Sequence, residues 1–329
     1  MAKIVRTDRE LELPGVDGAL RAAGHELLLL PEGVPQLQLV EAAKEADLVL
    51  MCYTPIGRRV IEAARRLKGI VKYGVGIDAI DIDAARERGV PVVNVPEYAE
   101  ETVAEGAFAL MLALAKKLKP LQAVMADAGW AWPVAQWLAS DLAGKTLGLV
   151  GLGRIGSRLA RMAAGFRMRV LSYDPYVAHA THTDLRAMLA ESDFVSIHCV
   201  LNDQTRHLIG EGELRAMKPS AYLVNVSRGA IVDEQALLKV LLERKIAGAA
   251  LDVYSQEPLA RQGHPLSALY DRDNVILSPH LTFYTREAME RLEADTLERC
   301  KEVLEGRPVT IRSRDPRLRA QTRGVRYLD

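Results

Sequence analysis

Short, nearly continuous apolar runs alternate along this chain with stretches whose apolar residues return every three or four positions. The runs at 3–6, 26–30, 47–51, 70–73 and 90–95 read as strands, and the stretches at 36–45 and 81–88 as helices between them. Continuous apolar strands joined by helices imply a parallel sheet covered on both faces. A strongly apolar helix is expected over 99–118, closed by Lys117, Lys119 and Pro120. An irregular stretch with Trp130, Trp132 and Trp137 follows. A second alternating series has strands at 146–150, 169–173, 193–198, 221–226, 248–253 and 274–278. Six such strands with helices between them form the doubly wound nucleotide-binding pattern. A helix over 286–305 and an arginine-rich tail over 306–329 complete the chain.

The chain has 329 residues, more than one ordinary core organises, so two domains are expected. Hydrophobic residues make up 49%, enough for two cores, and 43 basic side chains balance 43 acidic ones. That balance marks no nucleic-acid or membrane surface. Lys3, Arg6 and Asp8 interrupt the apolar run that a secretory leader needs, and no run of about 18 apolar residues occurs. Cys52, Cys199 and Cys300 are scattered and odd in number, which fits a reducing cytoplasm without disulfides. His179 and His182 lack the cysteine or carboxylate company of a metal site, so no metal is expected.

Gly151-Leu152-Gly153-Arg154-Ile155-Gly156 has the G-x-G-x-x-G spacing. It carries weight because it follows an apolar strand and opens a helix with Ile155, Leu159, Met162 and Phe166 on one face. The first glycine allows the tight turn, the second the approach of a pyrophosphate, and the third close helix–strand packing. The helix N-terminus offers unpaired N–H groups to the phosphates. Asp174 ends the next strand, where a carboxylate would hold the adenine ribose and repel a 2′-phosphate. NAD is therefore expected rather than NADP. The plainer reading of Asp174, a strand-end cap, explains less of its context.

Three ionisable residues follow the last three strands of the second series. Arg228 lies in Asn225-Val226-Ser227-Arg228-Gly229, Glu257 precedes Pro258, and His280 follows Ser278-Pro279. Ligands of parallel sheets bind beyond the carboxyl ends of the strands, so a cation, a carboxylate and an imidazole converge beside the cofactor. Singly, each could be a surface ion pair or a helix cap. Together they suit hydride transfer at the C2 of a 2-oxo acid, where the carbonyl oxygen gains negative charge and needs a proton. His280 would donate it, Glu257 would favour the imidazolium and fix the ring, and Arg228 would grip the substrate carboxylate and carbonyl.

Assembled, these motifs resemble the D-isomer-specific 2-hydroxyacid dehydrogenases, a family that includes phosphoglycerate dehydrogenase, glyoxylate/hydroxypyruvate reductase and the C-terminal binding proteins. The blocks from Met217-Lys218-Pro219 to Gly229, Ala250-Leu251-Asp252-Val253-Tyr254 and Ser278-Pro279-His280 carry the likeness along with the glycine loop. The resemblance implies a Rossmann NAD-binding domain at 99–281, inserted in a flavodoxin-like substrate domain formed by 1–98 and 282–329. It also implies a homodimer joined through the NAD-binding domain. Cofactor contacts carry over to Thr102, Gly151, Gly153, Arg154, Ile155, Gly156, Asp174, Cys199, Val200, Thr205, Val226 and Asp252. The loop Gly74-Val75-Gly76 resembles the segment whose backbone amides hold the substrate carboxylate.

Lys72 occupies the place of an arginine in the C-terminal binding proteins, and Phe283 matches their aromatic pocket wall. Lys72 is expected to meet a distal polar group of the substrate, with Tyr53 or Phe283 against its carbon chain. The alternative for Lys72 is a strand-end lysine with its head in water. Ile197-His198-Cys199-Val200-Leu201 departs from the more usual proline-bearing loop, which points to a backbone contact at Cys199. A glutamate at 257 argues against formate as substrate, whereas phosphite oxidation would keep the same three residues. The rival to an enzyme is an NAD(H)-responsive interaction protein. The three tryptophans fit packing at a loop or dimer interface, and the tail carries no assigned function.

Overall fold

The computed structural model describes residues 1–328 and divides into two compact units, Met1–Ala99 with Thr285–Asp329, and Glu100–Tyr284. The first unit is built on β1 (Lys3–Arg6), β2 (Glu26–Leu29), β3 (Leu48–Met51), β4 (Gly69–Lys72) and β5 (Val92–Asn94). These strands are parallel, in the order β2-β1-β3-β4-β5. Helices α1 (Pro14–Ala22), α2 (Gln36–Ala43), α3 (Arg58–Ala63) and α4 (Ile82–Glu87) are the crossovers. Every residue of β3 and β4 is buried, whereas the edge strand β2 has no fully buried position. Central strands covered on both faces need the unbroken apolar runs seen in the sequence.

The second unit opens with α5 (Glu100–Ala115) and α6 (Leu118–Ala128). The expected helix over 99–118 is α5, which stops at Ala115, and α6 occupies part of the stretch expected to be irregular. Lys117 takes a left-handed conformation (φ 53°), which breaks the helical path, and the chain turns helical again directly. Pro120 then stands in the first turn of α6, where no helical N–H partner is required of it, so it starts a helix rather than ending one.

Six parallel strands follow: β6 (Thr146–Val150), β7 (Arg169–Tyr173), β8 (Phe194–Ile197), β9 (Tyr222–Asn225), β10 (Gly248–Leu251) and β11 (Val275–Leu277). Their order is β11-β10-β9-β8-β6-β7, with an isolated parallel bridge from His182 to Tyr173 extending the β7 edge. The winding reverses between β6 and β8, the topological switch point where doubly wound sheets bind ligands. Helices α7 (Arg154–Gly165), α8 (Leu185–Glu191), α9 (Glu211–Ala216) and α10 (Glu234–Leu242) connect the strands. One core layer gathers Leu189, Ile197, Leu223 and Leu237, and the other Phe108, Met111, Leu149 and Phe194.

The chain returns to the first unit through α11 (Arg286–Leu304), β12 (Val309–Ile311), α12 (Pro316–Arg319) and β13 (Val325–Tyr327). The tail thus carries regular structure that its composition does not announce. Its Gln321 amide accepts from the Val92 N–H (2.7 Å) and donates to the Val92 carbonyl (2.9 Å). A side chain so completes the free edge at β5, which would otherwise present open pairing groups.

Candidate active site

The glycine loop after β6 fits a dinucleotide for three separate steric reasons. Gly151 has φ 98°, and a Cβ there would stand 2.5 Å from the Cys199 nitrogen. A Cβ on Gly156 would meet the Gly151 carbonyl oxygen at 2.3 Å, so α7 packs on the loop only without a side chain. A Cβ on Gly153 would meet nothing within 4 Å, which leaves backbone open for a pyrophosphate to approach. Ile155 packs as a half-buried residue against the core under the loop.

Asp174 follows β7, and its carboxylate accepts from the Leu152 N–H (2.9 Å) and the Tyr176 N–H (3.0 Å). The glycine loop and the acid are therefore tied together. Arg154 lies 3.2 Å from Glu100, which also pairs with Arg158. Glu100, on α5 and only 8% exposed, was not singled out in the sequence. Its partners lie one helical turn apart on α7, and that spacing was the available signal. Thr102 is buried on the same helix.

Beyond β8, the Cys199 carbonyl accepts from Ser227 Oγ (2.6 Å), while burial pushes the Cys199 thiol up to about 12 and keeps it neutral. Val200 is exposed, and its carbonyl accepts from Thr205 Oγ (2.7 Å), which shapes that loop. Val226 is buried at the end of β9. His198 bonds Ser196 Oγ through Nε2 (2.8 Å), and burial pushes its pKa down to about 3. It is neutral at ordinary pH.

Arg228, Glu257 and His280 belong to three loops of one sheet, and several contacts draw these loops together. Gly229 lets the first loop lie on the second, because a Cβ there would overlap the backbone of Tyr254 and Ser255. Asn225 holds the turn by donating to the Arg228 carbonyl (2.9 Å) and accepting from the Ser227 N–H (3.1 Å). Tyr254 OH shares its one proton between the carbonyls of Leu251 (3.0 Å) and Ser278 (2.9 Å), joining the second loop to the third.

Glu257 Oε1 accepts from the Tyr254 N–H (2.9 Å), and Oε2 lies 2.8 Å from His280 Nδ1. Burial raises the Glu257 carboxyl, but the His280 hydrogen bond and charge, the Tyr254 N–H and the nearby Arg228 charge outweigh it and hold it below the usual value. An ionised carboxylate only accepts, so Nδ1 carries the proton towards it and Nε2 is the nitrogen able to exchange one. The two side chains are 23% and 27% exposed, within reach of a small molecule. His280 is held in the left-handed region (φ 58°), and Phe283 packs edge-on to its ring, with centroids 6.2 Å apart.

The resemblance places Asp252 against the cofactor, yet its fully buried carboxylate is engaged by the loop that carries His280. Oδ1 accepts from Ser278 Oγ and the Leu281 N–H (3.0 Å), and Oδ2 from the Thr282 N–H (3.1 Å) and hydroxyl (2.6 Å). Donors on both sides of the histidine, gathered by this one carboxylate, fix the path of its backbone.

In the first unit Tyr53 and Lys72 lie near the ends of β3 and β4. Lys72 does not hold its head in water: the residue is 4% exposed, and Nζ donates to the Cys52 carbonyl (2.6 Å). Gly74 stands over that ammonium, Val75 is exposed, and its carbonyl accepts from Asn94 (2.6 Å), which shapes the turn into Gly76. Asp8, a residue the sequence did not flag, gathers the N–H groups of Cys52 (2.8 Å), Tyr53 (3.0 Å) and Thr54 (3.0 Å). Among the described residues, no group of three metal-binding side chains occurs, and no helix is long and apolar enough to cross a membrane.

A glycine-loop dinucleotide fold beside an imidazole–carboxylate pair defines a nicotinamide-linked oxidoreductase. Residues 108–282 match the profile described as D-isomer specific 2-hydroxyacid dehydrogenase, NAD binding domain. A glyoxylate reductase of Korarchaeum cryptofilum is 42% identical over 77% of this chain and 78% of its own length. A solved protein of Thermus thermophilus is 37% identical with a TM-score of 0.83, covering 93% of this chain and 97% of that one. The D-lactate dehydrogenase of Aquifex aeolicus, solved with NAD and lactic acid, is 30% identical with a TM-score of 0.83, covering 92% and 96%. The chain belongs to the D-isomer specific 2-hydroxyacid dehydrogenases and is an NAD-dependent enzyme.

Proposed function

We propose that the protein reduces small 2-oxo acids, glyoxylate to glycolate foremost and longer ones to their D-2-hydroxy acids, and that it works in the cytoplasm. The observation that carries this reading is the 2.8 Å pair of His280 and Glu257 in the presence of the Arg228 charge. Relatives named glyoxylate reductase, 42% and 41% identical, support the small substrate. NADH, when bound, supplies the hydride that reaches C2. His280 Nε2 delivers a proton to the oxygen on which charge develops, and Glu257 stabilises the imidazolium before transfer and fixes the ring. Arg228 holds the substrate carboxylate and polarises the carbonyl through its planar fork of donors. A role confined to binding NAD(H) would have no use for this acid–base pair.

Residues 99–281 are taken as the NAD-binding domain, and 1–98 with 282–329 as the substrate domain. Gly151, Gly153, Ile155 and Gly156 would hold the pyrophosphate with Arg154, and Thr102, Cys199, Val200, Thr205, Val226 and Asp252 would line the remaining cofactor path. Asp174, already oriented by two N–H groups, would take the ribose hydroxyls and disfavour NADP. Gly74, Val75 and Gly76 would cradle the substrate carboxylate through backbone amides, with Tyr53, Lys72 and Phe283 around its side chain. A second copy of the chain is the expected cover for α6, which buries no residue, and for the exposed Trp130 and Trp132 beyond it.

The test is NADH oxidation by the purified protein with glyoxylate, pyruvate and hydroxypyruvate. His280→Ala should lower kcat by about 100-fold or more while leaving NADH affinity within a few-fold. Unchanged turnover in that variant would remove the assignment.

A further inference from the structure

The parallel register of β3 and β4 sets Met51 opposite Lys72, so Cys52, the next residue along, arrives beside the lysine head. Lys72 Nζ lies 3.1 Å from Cys52 Sγ, and both residues are buried, at 4% and 6% exposure. The Tyr53 ring flanks the ammonium, 5.4 Å from centroid to Nζ. Gly74 closes over the pair: a Cβ there would stand 2.9 Å from Nζ and 3.8 Å from Sγ. The three N–H bonds to Asp8 pin the backbone that carries the thiol. Lys72 itself is part of a strand whose every residue is buried. Two nucleophilic atoms are thus held in contact on rigid supports, and little motion separates them from a covalent bond.

We propose that Cys52 and Lys72 form a reversible oxygen-bridged crosslink, Sγ–O–Nζ, on exposure to hydrogen peroxide, and that this link is a redox switch on the substrate residue Lys72. The lysine enters as the free amine, its ammonium proton passing to solvent. Thiol and amine each give up one hydrogen, and two molecules of peroxide each accept two electrons. One peroxide oxygen becomes the bridge and the other three leave as water. The S–O and N–O bonds form, while the S–H bond, one N–H bond and two O–O bonds break. Two equivalents of dithiothreitol return the four electrons and restore thiol and amine. An arginine at 72 would offer a delocalised guanidinium in place of this amine. Closing the bridge consumes the positive charge at 72; only that functional consequence rests on Lys72 contacting substrate.

The experiment treats the full-length protein with hydrogen peroxide and measures intact mass and proteolytic peptides. Expected is a gain of about 14 Da, one oxygen in and two hydrogens out, on a linked pair of peptides containing Cys52 and Lys72, reversed by dithiothreitol. Lys72→Arg and Cys52→Ser should each abolish the link, as should unfolding in guanidinium before treatment. An unmodified protein, oxygen added to Cys52 without a link, a link lacking the oxygen, or equal linking in the unfolded chain would each overturn the proposal. KM is read separately. The linked enzyme should show a KM for glyoxylate raised about 10-fold, by loss of roughly one charged contact. A link that forms with KM unchanged refutes the switch and the substrate role of Lys72 but leaves the crosslink standing. A Lys72→Arg enzyme with altered KM in a chain that never links does the reverse.

Discussion

Replacing Asp252 by asparagine removes a charge from a site where four donors converge and leaves the volume unchanged. Whichever way the amide is placed, its NH2 faces either the Leu281 N–H or the Thr282 N–H, so one buried backbone donor loses its acceptor. An unsatisfied buried donor costs about 1–3 kcal/mol, and the remaining bonds lose the strengthening that a charged acceptor gives. A total near 3 kcal/mol would lower the melting temperature by roughly 6–12 °C in a unit of this size. The loss falls on the residues either side of His280, whose left-handed backbone is held by those same bonds. If about half of it appears as displacement of the imidazole from its productive position, kcat drops about 10-fold, and if all of it does, about 100-fold. The assay pairs steady-state NADH oxidation with NADH binding by fluorescence and with the pH profile of kcat/KM, which a generally weakened fold would leave in place. A variant with normal kcat and an unshifted melting temperature would refute the reasoning, since the loop would then not depend on Asp252, whatever the effect on NADH affinity.

Glu257→Gln should abolish most activity and also change how stability depends on pH. The folded carboxyl lies below its ordinary value, so its contribution is fully present above the unfolded value of about 4.3 and fades as pH falls through the folded one. The melting-temperature gap between wild type and variant should therefore be widest near neutrality and close in acid; a gap constant with pH would contradict this. Asp174→Ala should narrow the preference for NAD over NADP by about 10-fold in kcat/KM, since the acid both binds the ribose diol and repels a 2′-phosphate; an unchanged ratio would dismiss it as the discriminator. Gly156→Ala would set a methyl 2.3 Å from the Gly151 carbonyl, backbone that cannot yield cheaply, and should cost about 1–3 kcal/mol and weaken NADH binding; full stability by thermal melting would show that the loop can open there.

The buried strands were legible because a parallel sheet covered on both faces demands continuous apolar runs, and 3–6 and 146–150 match β1 and β6 end for end. The break after α5 was not legible, because it rests on the left-handed backbone of Lys117, and lysine gives no local sign of it. The closing of the β5 edge by the tail was likewise not legible, because it rests on Gln321 finding Val92, a contact 229 residues apart in sequence. In the candidate site, Arg228, Glu257 and His280 stood out because each follows a strand run within a few residues. The groups that orient them, Asp252 and Tyr254 above all, act through loops that meet only in three dimensions. Asp8 escaped notice for the same reason, as its partners lie 44–46 residues along the chain.

The helix α6 is eleven residues long and buries none of them. A helix of that length draws little stability from its own backbone in water, and within the chain its polar anchor is Lys119, whose Nζ donates to the carbonyls of Arg272 (2.6 Å) and Val275 (2.8 Å). With a second copy as its proposed cover, its persistence should track how much protein is in the tube: on serial dilution its amides should begin to exchange with solvent, and activity per milligram should sag, before either sheet loosens.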